Sequence, residues 1–202
     1  YESNENEIKI TNKLSELVMK GKCDCFPILY YGYECNDKHV MISELAWGDL
    51  SVYIRKYLLE GSFDYKLSIL INILIKIVKS IKIMQEHNII HNDLSIGNVL
   101  VKEDPTDRPL KAVFLIHDFG RAKESSDENI KVNMKLDILY FISTLWYYLF
   151  QNKQEDMTGE LDKINDYIDT VGVDDLDKII IYLEEMKSSI GVRASYGRKK
   201  SK

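Results

Sequence analysis

Positive charge is in short supply. Lys and Arg number 27 against 32 Asp and Glu, a formal net charge of −5. An acidic balance gives no electrostatic footprint for a nucleic-acid partner, and none is expected. Cysteine is scarce as well, with three residues, Cys23, Cys25 and Cys35. An odd count, with no second pair or nearby His to complete Cys23 and Cys25, offers neither a disulfide framework nor a zinc ligand set. Free thiols in a reducing, cytoplasmic setting are expected. No secretory leader is visible. The most apolar run, residues 67–75, is closed by Lys76, with Lys79 and Lys82 behind it. It is too short and too charged to span a bilayer, so no membrane is expected and a buried helix is the better reading. There is no internal repeat.

What is there reads as a globular α+β chain. Its 202 residues, 45% hydrophobic and 29% charged, suffice for one or two domains with a substantial core. Residues 2–20 have helical spacing, with Ile10, Leu14, Leu17 and Val18 on one side and Gly21 as the stop. Residues 26–33, entered through Pro27, and 39–43 read as strands joined by a turn at Asn36-Asp37. After a linker, Asp49 opens a helix, and 63–86 is a long helix, apolar on most faces. Residues 99–101 and 113–116 read as a short antiparallel pair around a polar loop that holds Pro105 and Pro109. Residues 120–135 are polar. An apolar, aromatic helix follows over 136–150, with Asp137 at its start. Two amphipathic helices, 161–171 and 174–190, precede a loose basic tail over 191–202.

The chemistry is concentrated in two turns. The first is His91-Asn92-Asp93-Leu94-Ser95-Ile96-Gly97-Asn98, set between apolar runs. The second is Asp118-Phe119-Gly120, after another apolar run. Asp93, Asn98 and Asp118 carry hard oxygens of the kind magnesium prefers. Asp93 can also take a proton from an attacking hydroxyl.

Together and in this order, these motifs resemble the catalytic loop and the Asp-Phe-Gly metal motif of the protein kinase superfamily. The flavour is that of a divergent Ser/Thr protein kinase, such as those of large DNA viruses. The resemblance implies a helix and β-hairpin over 1–43 as part of a small lobe, a hinge over 44–50, and a mainly helical large lobe over 51–190. ATP and magnesium are the implied cofactors, and a protein carrying Ser or Thr the implied acceptor. In the likeness Asp93 is the catalytic base, and Asn98 and Asp118 are the magnesium ligands. Ser43 is the gatekeeper at the back of the adenine pocket, and Glu44 and Ala46 supply backbone bonds to the base. Asp49 reaches the ribose and Leu100 packs under the adenine ring. Glu7, with Glu5 as its rival, is the helix acid that pairs with a strand lysine. Asp137 matches the acid that bonds the catalytic-loop backbone, since a buried carboxylate needs such partners.

Several departures qualify the likeness. No Gly-rich loop and no Val-Ala-x-Lys-like strand precede the catalytic loop, and the sequence opens at Tyr1. A longer protein, or a reduced small lobe, is therefore expected. Asn92 stands where the family has an arginine that grips a phosphorylated activation segment, so activity independent of loop phosphorylation is expected. Ser95 replaces a lysine near the transferred phosphate. No Ala-Pro-Glu closes the activation segment. Two alternatives remain open: a small-molecule phosphotransferase of the choline or aminoglycoside kind, whose loops carry a pair like Gly97-Asn98, and a kinase-like binding module without catalysis.

Overall fold

The computed structural model describes residues 2–36, 38–58, 62–103, 108–125, 130–151, 158–172 and 175–199. Asp37, Pro105 and Asp174 of the readings above, and residues 200–202, lie outside them.

Helix α1 (Glu2–Met19) buries Ile10 and Leu14, one helical turn apart, while its lysines face out. The chain turns at Gly21, whose φ of 67° suits a residue without a Cβ. It then enters the antiparallel hairpin β1 (Leu29–Cys35) and β2 (Lys38–Ser43), with Gly32 opposite Met41 and Tyr33 opposite Val40. Helix α1 crosses β1 closely at Gly32. A Cβ there would stand 2.8 Å from Ile8 Cγ2. The Ser15 hydroxyl, fully buried, accepts the Leu29 N–H at 2.8 Å and ties helix to hairpin.

A three-stranded sheet carries the chain onward. Strand β3 (Gly48–Asp49) leads straight into helix α2 (Leu50–Tyr57), whose first turn is capped by the Asp49 carboxylate on Val52 N–H at 2.9 Å. Helix α3 (Phe63–Glu86) begins at the Ser62 cap and spans the bounds its apolar pattern predicts. It leads through β4 (Ile89–Ile90) to the first motif. Then come β5 (Val99–Val101) and β6 (Phe114–Ile116), antiparallel with Val99 opposite Ile116. Strand β3 completes the sheet beside β5, and β7 (Lys123–Glu124) pairs with β4.

Three helices close the structure: α4 (Ile130–Gln151), α5 (Thr158–Val171) and α6 (Leu176–Lys199). Helix α3 runs along α6 and buries Leu67, Leu70, Leu74, Ile77 and Ile81. Asn72, buried among them, accepts from Lys187 and donates to Leu110 C=O, so its amide is not stranded in the core. Among the described residues no helix is long and apolar enough to cross a membrane.

Two boundaries differ most from expectation. Helix α4 starts at Ile130, so Asp137 sits about two turns inside it rather than at its start. Met134, Asp137, Ile138 and Phe141 share one buried face at helical spacing, and this overrides the polar look of 130–135. Helix α6 continues to Lys199, through most of the stretch expected to be a loose tail. Gly191 is unfavourable in a helix by only about 1 kcal/mol relative to Ala, too little to stop one already propagating.

Candidate active site

The catalytic-loop turn is held from below by a buried carboxylate. Asp137 Oδ2 accepts His91 N–H at 3.0 Å and Asn92 N–H at 3.2 Å. Its residue is 5% exposed, and burial pushes its pKa up to about 6 against the opposing pull of these N–H bonds. Helix α4 thus delivers a positioning acid, not a cap. The loop also turns through left-handed backbone at Asn92, φ 60°, a conformation that Asn tolerates better than most residues. The Asn92 side chain donates to Arg121 C=O at 3.1 Å.

His91 is the buried pivot between the two motifs. Its Nε2 bonds His117 C=O at 3.0 Å and its ring lies 5.2 Å from that of Phe119. Its Nδ1 has no partner among the described residues, although the atom is buried. Burial lowers the imidazole pKa, while the nearby carboxylates of Asp118 and Asp93 pull it back up. One ring therefore feels both acids, and the two motifs that are distant in sequence converge on it. The second motif is tied in again where His117 N–H meets Asn98 C=O at 3.1 Å and His117 Nε2 meets Gly97 C=O at 3.3 Å.

Asp93 and Asp118 line different spaces. Asp118, also left-handed at φ 64°, lines a cavity of about 320 Å³ together with Glu7, Ser43, Leu100 and Phe119. Asp93 lines a groove of about 510 Å³ with Arg121, Leu136 and Tyr140. An Arg121 guanidinium nitrogen lies 3.4 Å from Asp93 Oδ1. Asn98 braces the loop, its amide nitrogen donating to Asp93 C=O at 2.8 Å.

Glu7 and Asp118 lie close enough to repel. Burial first, and the Asp118 charge second, raise the Glu7 pKa. A Cβ on Gly120 would come within 3.4 Å of Asp118 Oδ1 and 3.6 Å of Glu7 Oε2, so the glycine lets both acids approach that turn. Two carboxylates facing one space suit a site that receives positive charge. Among the described residues no three His, Cys, Asp or Glu side chains form a metal cluster of their own. The carboxylates that line the cavity are Asp118 and Glu7, and Asn98 stands in the adjoining loop, its backbone C=O bonded to His117 N–H. That sparse set fits magnesium, which keeps several waters and takes further oxygens from phosphates.

The linker residues are placed less simply. Ser43 lines the cavity but is exposed, not a buried back wall, since the hairpin offers only β2 on that side among the described residues. Glu44 turns its side chain away from the cavity, taking Ile28 N–H at 2.9 Å and Lys102 Nζ at 3.0 Å. Its own N–H is spent on Ile28 C=O, which leaves the Glu44 carbonyl as the group for a base. Ala46 is half-buried in the linker. The Asp49 carboxylate is held by the α2 cap and by the Ser51 hydroxyl at 2.5 Å. It pairs across the sheet with Leu100, which lines the cavity. Glu5 is exposed, which favours Glu7 over its rival as the inward acid.

Sequence reasoning gave no task to His117 or Arg121. Neither lies in a spacing that signals a role, and only the fold brings them to Gly97 and Asp93. The strap across the site was equally hidden. Glu124 accepts Lys9 at 3.0 Å and Lys13 at 2.9 Å, and Asn6 Nδ2 donates to Ala122 C=O at 2.8 Å. These bonds join α1 to the residues that follow Gly120. Edge-on packing of Phe26 against Phe119, centroids 6.2 Å apart, backs the same turn from the other side.

A search among curated proteins finds no match. Residues 3–143, more than two thirds of the chain, match the profile of the family described as protein tyrosine and serine/threonine kinase. With the loop, the Asp-Phe-Gly turn and the acid beneath them in the expected order, the chain belongs to that kinase family.

Proposed function

We propose that the protein is an ATP-dependent Ser/Thr protein kinase acting on a hydroxyl of a protein acceptor. The observation that supports this reading is that the two motifs are bonded to each other, His91 Nε2 to His117 C=O and His117 N–H to Asn98 C=O, while Asp93 lines one space and Asp118 another. The nucleotide belongs in the cavity lined by Ser43, Leu100 and Asp118. The Glu44 carbonyl and the Ala46 backbone meet the base, and Asp49 meets the ribose. Magnesium, held by Asp118 and the Asn98 oxygen, supplies charge neutralisation at the phosphates.

The chain's own residues do the rest. Asp93 orients the acceptor hydroxyl and takes its proton at a carboxylate oxygen. Asn98 and Asp137 keep the loop backbone still, so little reorganisation is needed during transfer. The neutral His91 ring links the two motifs without adding a charge beneath them. The acceptor approaches through the groove beside Arg121, Leu136 and Tyr140. Asn92 gives no cationic grip for a phosphorylated segment, so activity should survive phosphatase treatment of the enzyme.

The test is transfer of radiolabel from ATP by the purified protein at full length. Protein, choline and aminoglycoside acceptors are offered in parallel, followed by phosphoamino-acid analysis. Labelled phosphoserine or phosphothreonine is expected. Asp93→Asn should lower the rate about a hundredfold to ten-thousandfold, the usual cost of losing a general base. Asp118→Ala should abolish magnesium-dependent labelling. Equal labelling by wild type and Asp118→Ala overturns the ligand reading, and label on a small molecule but not on protein overturns the acceptor.

A further inference from the structure

Away from the cleft, a cavity of about 680 Å³ opens between residues 22–25, α3, β6 and α6. It shares no lining residue with either space at the active site. Two thiols face it. Cys23 is half-buried and Cys25 is 8% exposed, and neither is in a disulfide. Cys23 and Cys25 stand two residues apart on the cavity wall, where each acts on the other, and Ser80 lines the same cavity from α3. Their interaction lowers the Cys23 pKa to about 7 and, with burial, pushes that of Cys25 up. Cys23 is thus the more acidic thiol, with Cys25 held protonated beside it.

The walls are basic, in a chain whose net charge is −5. Lys22, Lys76, Lys79 and Lys187 line the cavity against two acids, Asp24 and Glu184. Lys79 already holds Glu184 at 2.8 Å. Lys76 is half-buried and donates to Ala112 C=O. Burial lowers its pKa, Asp24 opposes that, and Lys187 and Lys79 lower it further. Lys187 also donates to Asn72 Oδ1, yet four ammonium groups against two carboxylates leave the walls net positive, which suits an anion that can also react with sulfur.

We propose that Cys23 is a thiol–disulfide exchange site for an anionic disulfide of the oxidised-glutathione class, its carboxylates received by the lysines of this cavity. The Cys23 thiolate attacks one sulfur of the disulfide. A bond forms between Cys23 and that half, and the original S–S bond breaks. The other half leaves as a thiolate and takes up the proton that Cys23 gave away. Cys23 is oxidised and the departing half is reduced, so no further oxidant is needed. The adduct would load a segment wired to the active site. Cys25 C=O accepts Ile116 N–H at 2.9 Å, and the next residue, Phe26, packs on Phe119. The site itself does not depend on the phosphotransfer reading.

The experiment incubates the full-length protein with oxidised glutathione, neutral hydroxyethyl disulfide or cationic cystamine. Adducts are followed by intact mass and peptide mapping, and each rate is divided by that of a free cysteine peptide. Wild type is compared with Cys25→Ser, which keeps a hydroxyl donor but cannot form an internal disulfide. A single glutathione adduct on Cys23 is expected in Cys25→Ser, forming about fivefold or more faster than the cystamine adduct, the effect of one unit-charge contact. The protein's overall negative charge would favour the opposite order. Lys22→Gln with Lys187→Gln should narrow the preference. An adduct on Cys35 instead, no adduct on Cys23 in Cys25→Ser, or equal normalised rates for the two charged reagents overturns the proposal.

Discussion

Removing the carboxylate at Asp137 sets two opposing terms against each other, and pH separates them. Asp137→Ala leaves the His91 and Asn92 N–H groups without their acceptor. Each unsatisfied buried donor costs about 1–3 kcal/mol, so about 4 kcal/mol is lost. The substitution also removes a carboxyl whose pKa stands at about 6 against an ordinary 3.8. At about 1.4 kcal/mol per unit, that relieves about 3 kcal/mol near neutrality. The net loss at about pH 7 is then about 1 kcal/mol. The folded pKa is raised, so the carboxyl's contribution is complete below 3.8 and is lost as pH rises through about 6. Moving from about pH 7 to about pH 5 should therefore widen the gap between wild type and variant by about 1.4 kcal/mol. Urea unfolding followed by the fluorescence of Trp47 and Trp146 measures both gaps. Asp137→Asn keeps a carbonyl acceptor and does not titrate, so it should show the same widening on a smaller offset. A gap that stays constant or narrows on acidification refutes the account of this acid as a buried, costly anchor.

Two further predictions concern α1. Gly32→Ala forces a Cβ to within 2.8 Å of Ile8 Cγ2 unless the helix shifts; it should cost about 1–3 kcal/mol of stability, the usual penalty of overpacking, read as a lower thermal midpoint. Glu7→Gln removes a carboxylate whose pKa is raised by burial and by Asp118. That raised pKa means wild type loses stability as pH climbs past its ordinary 4.5, so the Gln variant should be the more stable near neutrality. The advantage should fade on acidification, and a denaturation midpoint unaffected by pH contradicts the crowding of these two acids.

Much of the scaffold could be read because local signals agreed with one another. The 63–86 helix has a Ser cap, an apolar face and polar residues beyond its end, and it forms over those residues. The strands at 99–101 and 113–116 pair as their apolar pattern suggests. Asp93, Asn98 and Asp118 announce themselves through motif spacing, and the fold brings their motifs together. What could not be read depends on partners distant in the chain. The two-residue strands β3, β4 and β7 exist only because a neighbour pairs with them, and no propensity marks so short a segment. The start of α4 was hidden because 130–135 looks polar until Met134 is seen facing the core. The spent N–H of Glu44, the exposure of Ser43 and the basic wall around Cys23 likewise follow from where other elements come to rest.

The strap from α1 to Glu124 has a mechanical corollary. Swinging α1 outward must either break both lysine contacts and the Asn6 bond to Ala122, or drag residues 122–124 along. Strand β7 would then peel from β4, whose Ile90 directly precedes His91. The helix, the stretch after Gly120 and the entry to the catalytic loop thus behave as a single lever. Each of the three is tied to the other two by contacts already in place.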